Sequence, residues 1–436
     1  MVDGRPTAAV IGSGVSGLTA AHVLSGSHRV TLLEGDDRFG GHAHTHAVTD
    51  SAGRSQRIDS GFIVHNERTY PHLLRLFGEL GVRTRETEMS MSVTCGGCGL
   101  SYAGGRGPRG ILAQPRRAAD PRFVRLLTEV PRFHRLARRL LGAGEDDVAA
   151  DDAGDAARGQ GSLTWGQFLR AGGFSRYFVQ HFAVPLVACV WSANGQDARD
   201  YPARHLFAFL DHHGMLSVTG SPTWRTVVGG SASYVDALVA RVPVARSGAP
   251  VLAVERHDDG VDVRTGDGTT ATFDRVVVAT HADDALALLA DASAEEKSAL
   301  SAIGYSTNRT VLHRHPAVLP DRRQARASWN YRLEDCAGGD RPVLVSYWMN
   351  RLHGLDSPDD FVVTLNPGDT VPGRAVVAEM TYRHPVFTHV AVAAAGVLRG
   401  AGGPRLAFAG AHLGWGFHED GCRSGVQAAE RLGATW

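Results

Sequence analysis

At 436 residues the chain has room for two or three domain-sized cores. Its composition, 43% apolar and 21% charged, is that of an ordinary globular protein, and a formal net charge of zero gives no support for a nucleic-acid partner. The longest apolar stretches run about ten residues, short of the roughly twenty a membrane span needs, and five cysteines, an odd number, do not resemble a disulfide framework.

Residues 1–7 lead directly into the apolar run 8–11 without a secretory leader, so a cytoplasmic location is expected. The stretch "AAVIGSGVSGLTAAHVLSGSHRVTLLEGDDRFGG" reads as buried parallel strand, glycine turn, helix, strand. Gly12, Gly14 and Gly17 form G-x-G-x-x-G at the first junction. Gly12 permits the tight turn, Gly14 lets a pyrophosphate approach the backbone, and Gly17 allows close helix–strand packing. Val15 and Ser16 open the helix, whose free N–H groups and dipole suit phosphate. Glu34 ends the second strand, "RVTLLE", where an acid can bind ribose hydroxyls.

Further along, "SVTCGGCGLSY" alternates like a hairpin with Gly96 and Gly97 at its tip. Cys95 and Cys98 within it lack a second C-x-x-C, so they read as two cysteines flanking a turn. Residues 106–139 carry ten arginines and two acids, interleaved with Phe123, Leu126 and Phe133. Such a helix suits an anionic membrane surface or lipid headgroup, or is a solvated face balanced by nearby acids. The acidic stretch 145–162 reads as a loop, either a lid or a surface excursion. Residues 251–273 alternate as hairpins with turns at 258–260 and 266–268, and residues 276–279 form another buried strand. The twenty-one histidines include His42, His44 and His46 on one face of a strand, yet no metal-binding spacing organises them and no metal is expected.

After Glu34 come Arg38, Gly40 and Gly41 as E-x-x-x-R-x-G-G, then "RIDSGFIV", "TWRTVVGGSASYVDAL" and, at the end, "RLAFAGAHLGWGFHEDGCRSGVQAAERL". Together these resemble the flavoprotein superfamily of amine oxidases, phytoene-type desaturases and fatty-acid isomerases and desaturases. "IDSGFIVHNERTYPHL", "SYWMN" and "GFHEDG" resemble, more narrowly, a bacterial FAD-binding oxidoreductase subgroup associated with cyclopropane-synthase-like methyltransferases and fatty-acid modification. The resemblance implies FAD as cofactor and an α/β fold. A Rossmann-like FAD-binding domain would be built from residues 1–62, 223–285 and 400–436, and a mixed α+β substrate domain from 63–222 and 286–399. It places Arg38, Gly40, Gly41, His42, Gly61, Phe62, Gly410, Gly416, Phe417 and His418 along the cofactor, with Val251 over its adenine.

Many amine oxidases keep a lysine near flavin N5. The loosely corresponding "IGYSTNRTVLH" offers Asn308 and Arg309 instead, and the single lysine of the chain is Lys297. Candidate substrate-side residues are His65, Asn66, Tyr70, Trp329, Tyr347, Trp348, Asn350, Trp415 and Phe417, a mostly aromatic set that suits hydrocarbon. His418, Trp415, Phe417, Asn308 and Tyr347 are the catalytic candidates. "GWGFHEDGCRSG" is expected to cradle the flavin, with Glu419 and Asp420 favourable at a helix start and His418 open to a part in proton transfer. The expected function is an FAD-dependent oxidoreductase acting on a small-molecule or lipid substrate. It would desaturate or isomerise a fatty acyl chain by hydride transfer to flavin N5. The alternatives are an amine or amino-acid oxidase, and a non-catalytic flavoprotein that binds lipid or a partner.

Overall fold

The computed structural model describes residues 4–142, 163–192, 197–337 and 344–436. The acidic loop expected at 145–162 lies outside the described residues. A parallel sheet of five strands runs in the order Val244–Arg246, Arg29–Leu33, Thr7–Ile11, Arg275–Val278, Leu406–Phe408. Parallel strands are covered on both faces, so their side chains read as unbroken apolar runs. Along the first strand Ala8 and Val10 enter one core, while Ala9 and Ile11 enter the other, as a two-residue period demands.

On the first face lie the helices Val15–Leu24, Pro71–Leu80, Ala232–Val239 and His418–Arg431. On the second lie Ala282–Leu288, Ala294–Ser301 and His389–Leu398, with an antiparallel meander of Val251–Arg256, Val261–Thr265 and Thr270–Phe273. The expected boundaries at residues 63 and 286 therefore cut through shared cores. Pro71–Leu80 joins the first core through Ala232–Val239 and His418–Arg431, and Ala294–Ser301 and His389–Leu398 pair with each other in the second.

The second half is a seven-stranded sheet ordered Val376–Pro385, Tyr305–His313, Val362–Leu365, Val345–Trp348, Trp329–Leu333, Met91–Cys95, Ser101–Gly104. A helical layer adjoins it, made of Pro121–Gly142, Trp165–Ala171, residues 176–191 and Ala203–His212, around a core of Phe133, Phe168, Phe178 and Phe207. Trp329 joins three of the hydrophobic clusters and so sits where sheet and helices meet. Among the described residues no helix is long and apolar enough to cross a membrane.

Candidate active site

The helices Val15–Leu24 and His418–Arg431 cross unusually closely because glycines face the contact. A Cβ on Gly421 would lie 2.5 Å from Val15 Cγ1, and one on Gly425 would lie 2.3 Å from the Ser16 carbonyl. The crossing sets the N-terminal turns of both helices side by side, beyond the carboxyl ends of the parallel strands, where open α/β sheets bind ligands. Gly12 (φ +95°) makes the turn against Ala279, and a Cβ on Gly17 would sit 1.9 Å from the Gly12 carbonyl. Gly14 differs: its Cβ would meet nothing within 4 Å, and no side chain caps the helix that follows. The backbone there is bare towards a groove of about 380 Å³.

Gly12, Gly14, Val15, Ser16, Glu34, Arg38, Gly40, Gly41, His42, Gly410, Gly416 and His418 line this groove. Glu34 accepts from the Ser13 N–H and hydroxyl and from the Asp36 N–H, which fixes its carboxylate at the groove wall. Arg38 donates to the Gly41 carbonyl at 2.7 Å. The Ser13 hydroxyl accepts in turn from the Gly40 N–H, tying the glycine turn to the glycine pair. Gly17 packs behind the groove rather than lining it, and Val251 is buried in the core of the meander.

At its far end the groove meets a second cavity of about 170 Å³, and His42, Tyr382, His384, Pro385, Gly416 and His418 line both. Burial holds the imidazoles here neutral: His384 is pushed down to about 4, and His412 and His418 to about 3. His42, half-buried and desolvated beside His384 and His281, lies well below its ordinary value too. His418 stacks on Phe62 at 3.5 Å between ring centroids, and its Nε2 lies 2.8 Å from the Tyr234 hydroxyl. Burial keeps that phenol protonated, so it donates to Nε2 and the His418 proton rests on Nδ1.

The acids beside His418 point elsewhere. Glu419 accepts from the His72 N–H (3.1 Å), His72 Nδ1 (2.6 Å) and the Leu73 N–H (3.1 Å), so it caps the helix Pro71–Leu80. Asp420 accepts from the Phe417 N–H and from Arg423, and burial raises its carboxyl to about 6. Thus "HED" is not a catalytic cluster; its three side chains serve three different contacts.

The second cavity is walled by Phe62, Met89, Val190, Trp191, Phe209, Met215, Trp224, Trp329, Leu365, Phe387 and Phe417, with Gly61, Tyr70 and Tyr347. No Asp, Glu, Lys or Arg lines it among the described residues. The Trp329 indole N–H is buried there without a partner. Burial pushes the Tyr347 phenol up, and the Ser192 side chain bonds it.

A family model described as flavin containing amine oxidoreductase matches residues 15–357. The chain belongs to that family. Short stretches match curated oxidases: flavin-dependent L-tryptophan oxidase RebO of Lentzea aerocolonigenes, 35% identical over 20% of this chain and 18% of that protein, and polyamine oxidase 5 of Oryza sativa subsp. japonica, 39% identical over 21% and 19%. These matches span about a fifth of either protein's length. Among solved structures, a CLA-producing fatty acid isomerase from P. acnes superposes with TM-score 0.70 at 18% identity over 100% of both chains. Cyclohexylamine oxidase from Brevibacterium oxydans IH-35A superposes with TM-score 0.68 at 17% identity over 98% of both. At such identities the likeness is one of fold.

As a flavin-containing amine oxidoreductase the protein is an FAD-dependent enzyme. The groove fits FAD on its own terms: the open Gly14 and the uncapped helix beside it offer N–H groups to a pyrophosphate, and Glu34 stands at ribose distance in chain order. Of the catalytic candidates, His418, Phe417 and Tyr347 come together at the aromatic cavity, while Trp415 and Asn308 do not line it. Trp415 packs against His205, Phe209 and His212, and its carbonyl accepts from Trp191 Nε1. Asn308 sits on Tyr305–His313, and its amide donates to His384 Nδ1 at 3.0 Å while its Oδ1 accepts from Asn366. Arg309 pairs with Glu379 on the surface, and Lys297 is exposed on its helix.

His65 and Asn66 are buried beside the cavity wall, Trp348 bonds Asp360, and Asn350 bonds the 359–361 backbone. Ser13, His281, Tyr382, His384 and His412 were not singled out in sequence. They come from separate segments, and only "TYRHP", alternating along Val376–Pro385, offered a signal. Of the arginines in residues 106–139, Arg122, Arg125, Arg132, Arg135, Arg138 and Arg139 are exposed along Pro121–Gly142.

Proposed function

We propose that this FAD-dependent oxidoreductase acts on an apolar substrate, desaturating a fatty acyl segment or moving its double bond. The observation that carries this reading is the uncharged, aromatic wall of the cavity that meets the flavin groove. An ammonium or a substrate carboxylate entering it would lose water and find no counter-charge, a cost of several kcal/mol. Hydrocarbon entering it gains about 25 cal/mol per Å² removed from water. At about 170 Å³ the cavity is smaller than the roughly 300–1,000 Å³ of sites that enclose a whole drug-sized ligand, so it holds the reacting segment of a longer molecule.

FAD, when bound, supplies the electron sink for breaking a C–H bond. The chain's own residues position and protect. Phe62, Phe417 and Trp329 fix the segment and exclude water. Asn308, itself held by Asn366, donates to Nδ1 of His384 and so leaves the His384 proton on Nε2. His384 and His418 are neutral groups at the junction of groove and cavity, each able to hold or pass a proton without carrying resting charge.

The test is anaerobic mixing of the yellow protein with unsaturated and saturated fatty acids, with anionic phospholipid vesicles, and with a panel of amines and amino acids. Bleaching of the flavin by acyl substrates, or a displaced double bond found by mass spectrometry, is expected. Bleaching by amines or amino acids alone would overturn the acyl reading and leave an amine or amino-acid oxidase of the same fold.

A further inference from the structure

The hairpin cysteines acquire partners that sequence spacing could not show. Cys95 ends the strand Met91–Cys95, and Cys98 lies in the turn before Ser101–Gly104. The parallel neighbour Trp329–Leu333 runs past them in register, Leu333 opposite Cys95, and its continuation brings Cys336 over the turn. The Gly96 N–H donates to the Leu333 carbonyl, and a Cβ on Gly97 would lie 2.9 Å from Asp335 Cα, so the two backbones touch. His181 arrives from the opposite side on a π-helical turn, Val179–Ala183, set within the otherwise α-helical segment 176–191. Such single wide turns redirect a side chain and recur at functional sites.

One ligand atom from each of Cys95, Cys98, His181 and Cys336 lies within 4.8 Å of all the others. The Cys95 and Cys336 sulfurs are 3.7 Å apart, as are Cys98 Sγ and His181 Nε2. A disulfide would need sulfurs at about 2.05 Å. Four ligands around zinc at about 2.3 Å for sulfur and 2.0–2.1 Å for nitrogen define tetrahedron edges of about 3.8 Å between sulfurs and about 3.5 Å from sulfur to nitrogen, and the two separations lie close to those edges.

The surroundings prepare the same donor set. His181 Nδ1 donates to the Tyr177 carbonyl at 2.9 Å, which fixes the tautomer and leaves Nε2 with a free lone pair facing the thiols. The Cys98 N–H is hydrogen-bonded to the Cys95 sulfur and the Leu100 N–H to the Cys98 sulfur, and the Tyr177 hydroxyl lies 3.7 Å from Cys98 Sγ. Arg117 donates to the Cys98 carbonyl, and the Arg122 guanidinium lies over the Tyr177 ring, so cations flank a site of three potential anions.

We propose that Cys95, Cys98, His181 and Cys336 bind one zinc ion in a closed, structural Cys3His site. With four protein ligands no position remains for water or substrate, so the ion's role is to clamp rather than to catalyse. It joins three segments: the hairpin of Met91–Cys95 and Ser101–Gly104, the helical segment 176–191, and the extension of Trp329–Leu333. Two of these carry walls of the aromatic cavity, through Cys189, Val190 and Trp191 on one and Trp329 on the other. Zinc therefore holds the cavity's shape from behind, independently of what the cavity binds.

Elemental analysis of the intact FAD-loaded protein, purified without added metal, is the direct test. About one zinc per chain is expected, released by a mercurial that titrates thiols and not by simple dialysis. Cobalt substituted for zinc should give the intense visible absorption of a tetrahedral thiolate site. Cys98→Ser should lose most of the zinc and lower the melting temperature, while Cys98→His, which preserves four ligands, should retain both. Metal-free protein with all five thiols free, a Cys95–Cys336 disulfide, or iron with acid-labile sulfide in place of zinc would each overturn the proposal. The wild-type measurement decides even where Cys98→Ser fails to fold.

Discussion

Buried neutral histidines make this protein's stability fall steeply below neutral pH, by an amount the structure sets. His65, His213, His313, His412 and His418 are each enclosed in the fold. Burial, aided by nearby arginines at His65 and His213 and by neighbouring imidazoles at the others, holds the first three at about 4 and the last two at about 3. In the unfolded chain each returns to about 6.5. The folded values are depressed, so the unfolded state binds more protons as pH drops. Stability is whole above about pH 6.5 and is lost progressively towards the folded values of about 3–4. At about pH 5.5 each unfolded imidazole gains about 1.4 kcal/mol, so the five together remove about 7 kcal/mol. Asp420 works the other way: its raised carboxyl, at about 6, returns about 0.8 kcal/mol over the same interval. The net loss rivals the whole stability of a typical domain, about 5–15 kcal/mol. Urea unfolding followed by tryptophan fluorescence, at about pH 7.5, 6.5 and 5.5 with saturating FAD, reads it directly. His313→Gln offers an internal control far from the flavin groove. Its Nε2–H donates to Thr364 while Nδ1 accepts from the His315 N–H, and removing the imidazole should shrink the acid-induced loss by about 1.4 kcal/mol. A midpoint unchanged between pH 7.5 and 5.5 would refute the reasoning, because it would mean these imidazoles charge within the fold.

Two further substitutions separate packing from binding. Gly14→Val should leave a folded chain that no longer retains flavin, because a Cβ there meets no protein atom within 4 Å and Gly14 lines the groove; Gly17→Val should fail to fold, since its Cβ would lie 1.9 Å from the Gly12 carbonyl. Flavin content and circular dichroism distinguish the two, and a yellow Gly14→Val protein would contradict the assigned groove. Glu419→Gln should cost about 1–3 kcal/mol in urea unfolding, because a charged acceptor for three donors on Pro71–Leu80 is lost, with flavin content near that of the parent. Loss of flavin without loss of stability would place the Glu419 carboxylate on the cofactor instead.

The nucleotide half was legible because each of its devices is local. A buried strand, a glycine turn, a helix and an acid at the next strand end occupy residues 8–34, and the physics that requires each of them acts within a few residues. The hairpin around Gly96 and Gly97 and the meander at 251–273 were legible for the same reason. What escaped depends on contacts between distant segments. Residues 418–420 were expected at a helix start beside the flavin, but not their partners: a helix start points three consecutive side chains about 100° apart, towards Tyr234, His72 and Arg423. Asn308 was a catalytic candidate, but it reaches the junction only through His384, which the register of Tyr305–His313 against Val376–Pro385 delivers. The expectation of no metal rested on the lack of a second C-x-x-C. Cys336 and His181, 241 and 83 residues from their bonded cysteines, reach them through a parallel strand pairing and a π-turn that no local pattern announces. Long-range strand register brings His384 to the cofactor side and Cys336 to the cysteine side of one sheet, and the π-turn adds His181 to the latter. Disturbing the cysteine cluster should therefore be felt first at the aromatic cavity that Trp191 and Trp329 line, and only later at the glycine turn of the flavin groove on the parallel sheet.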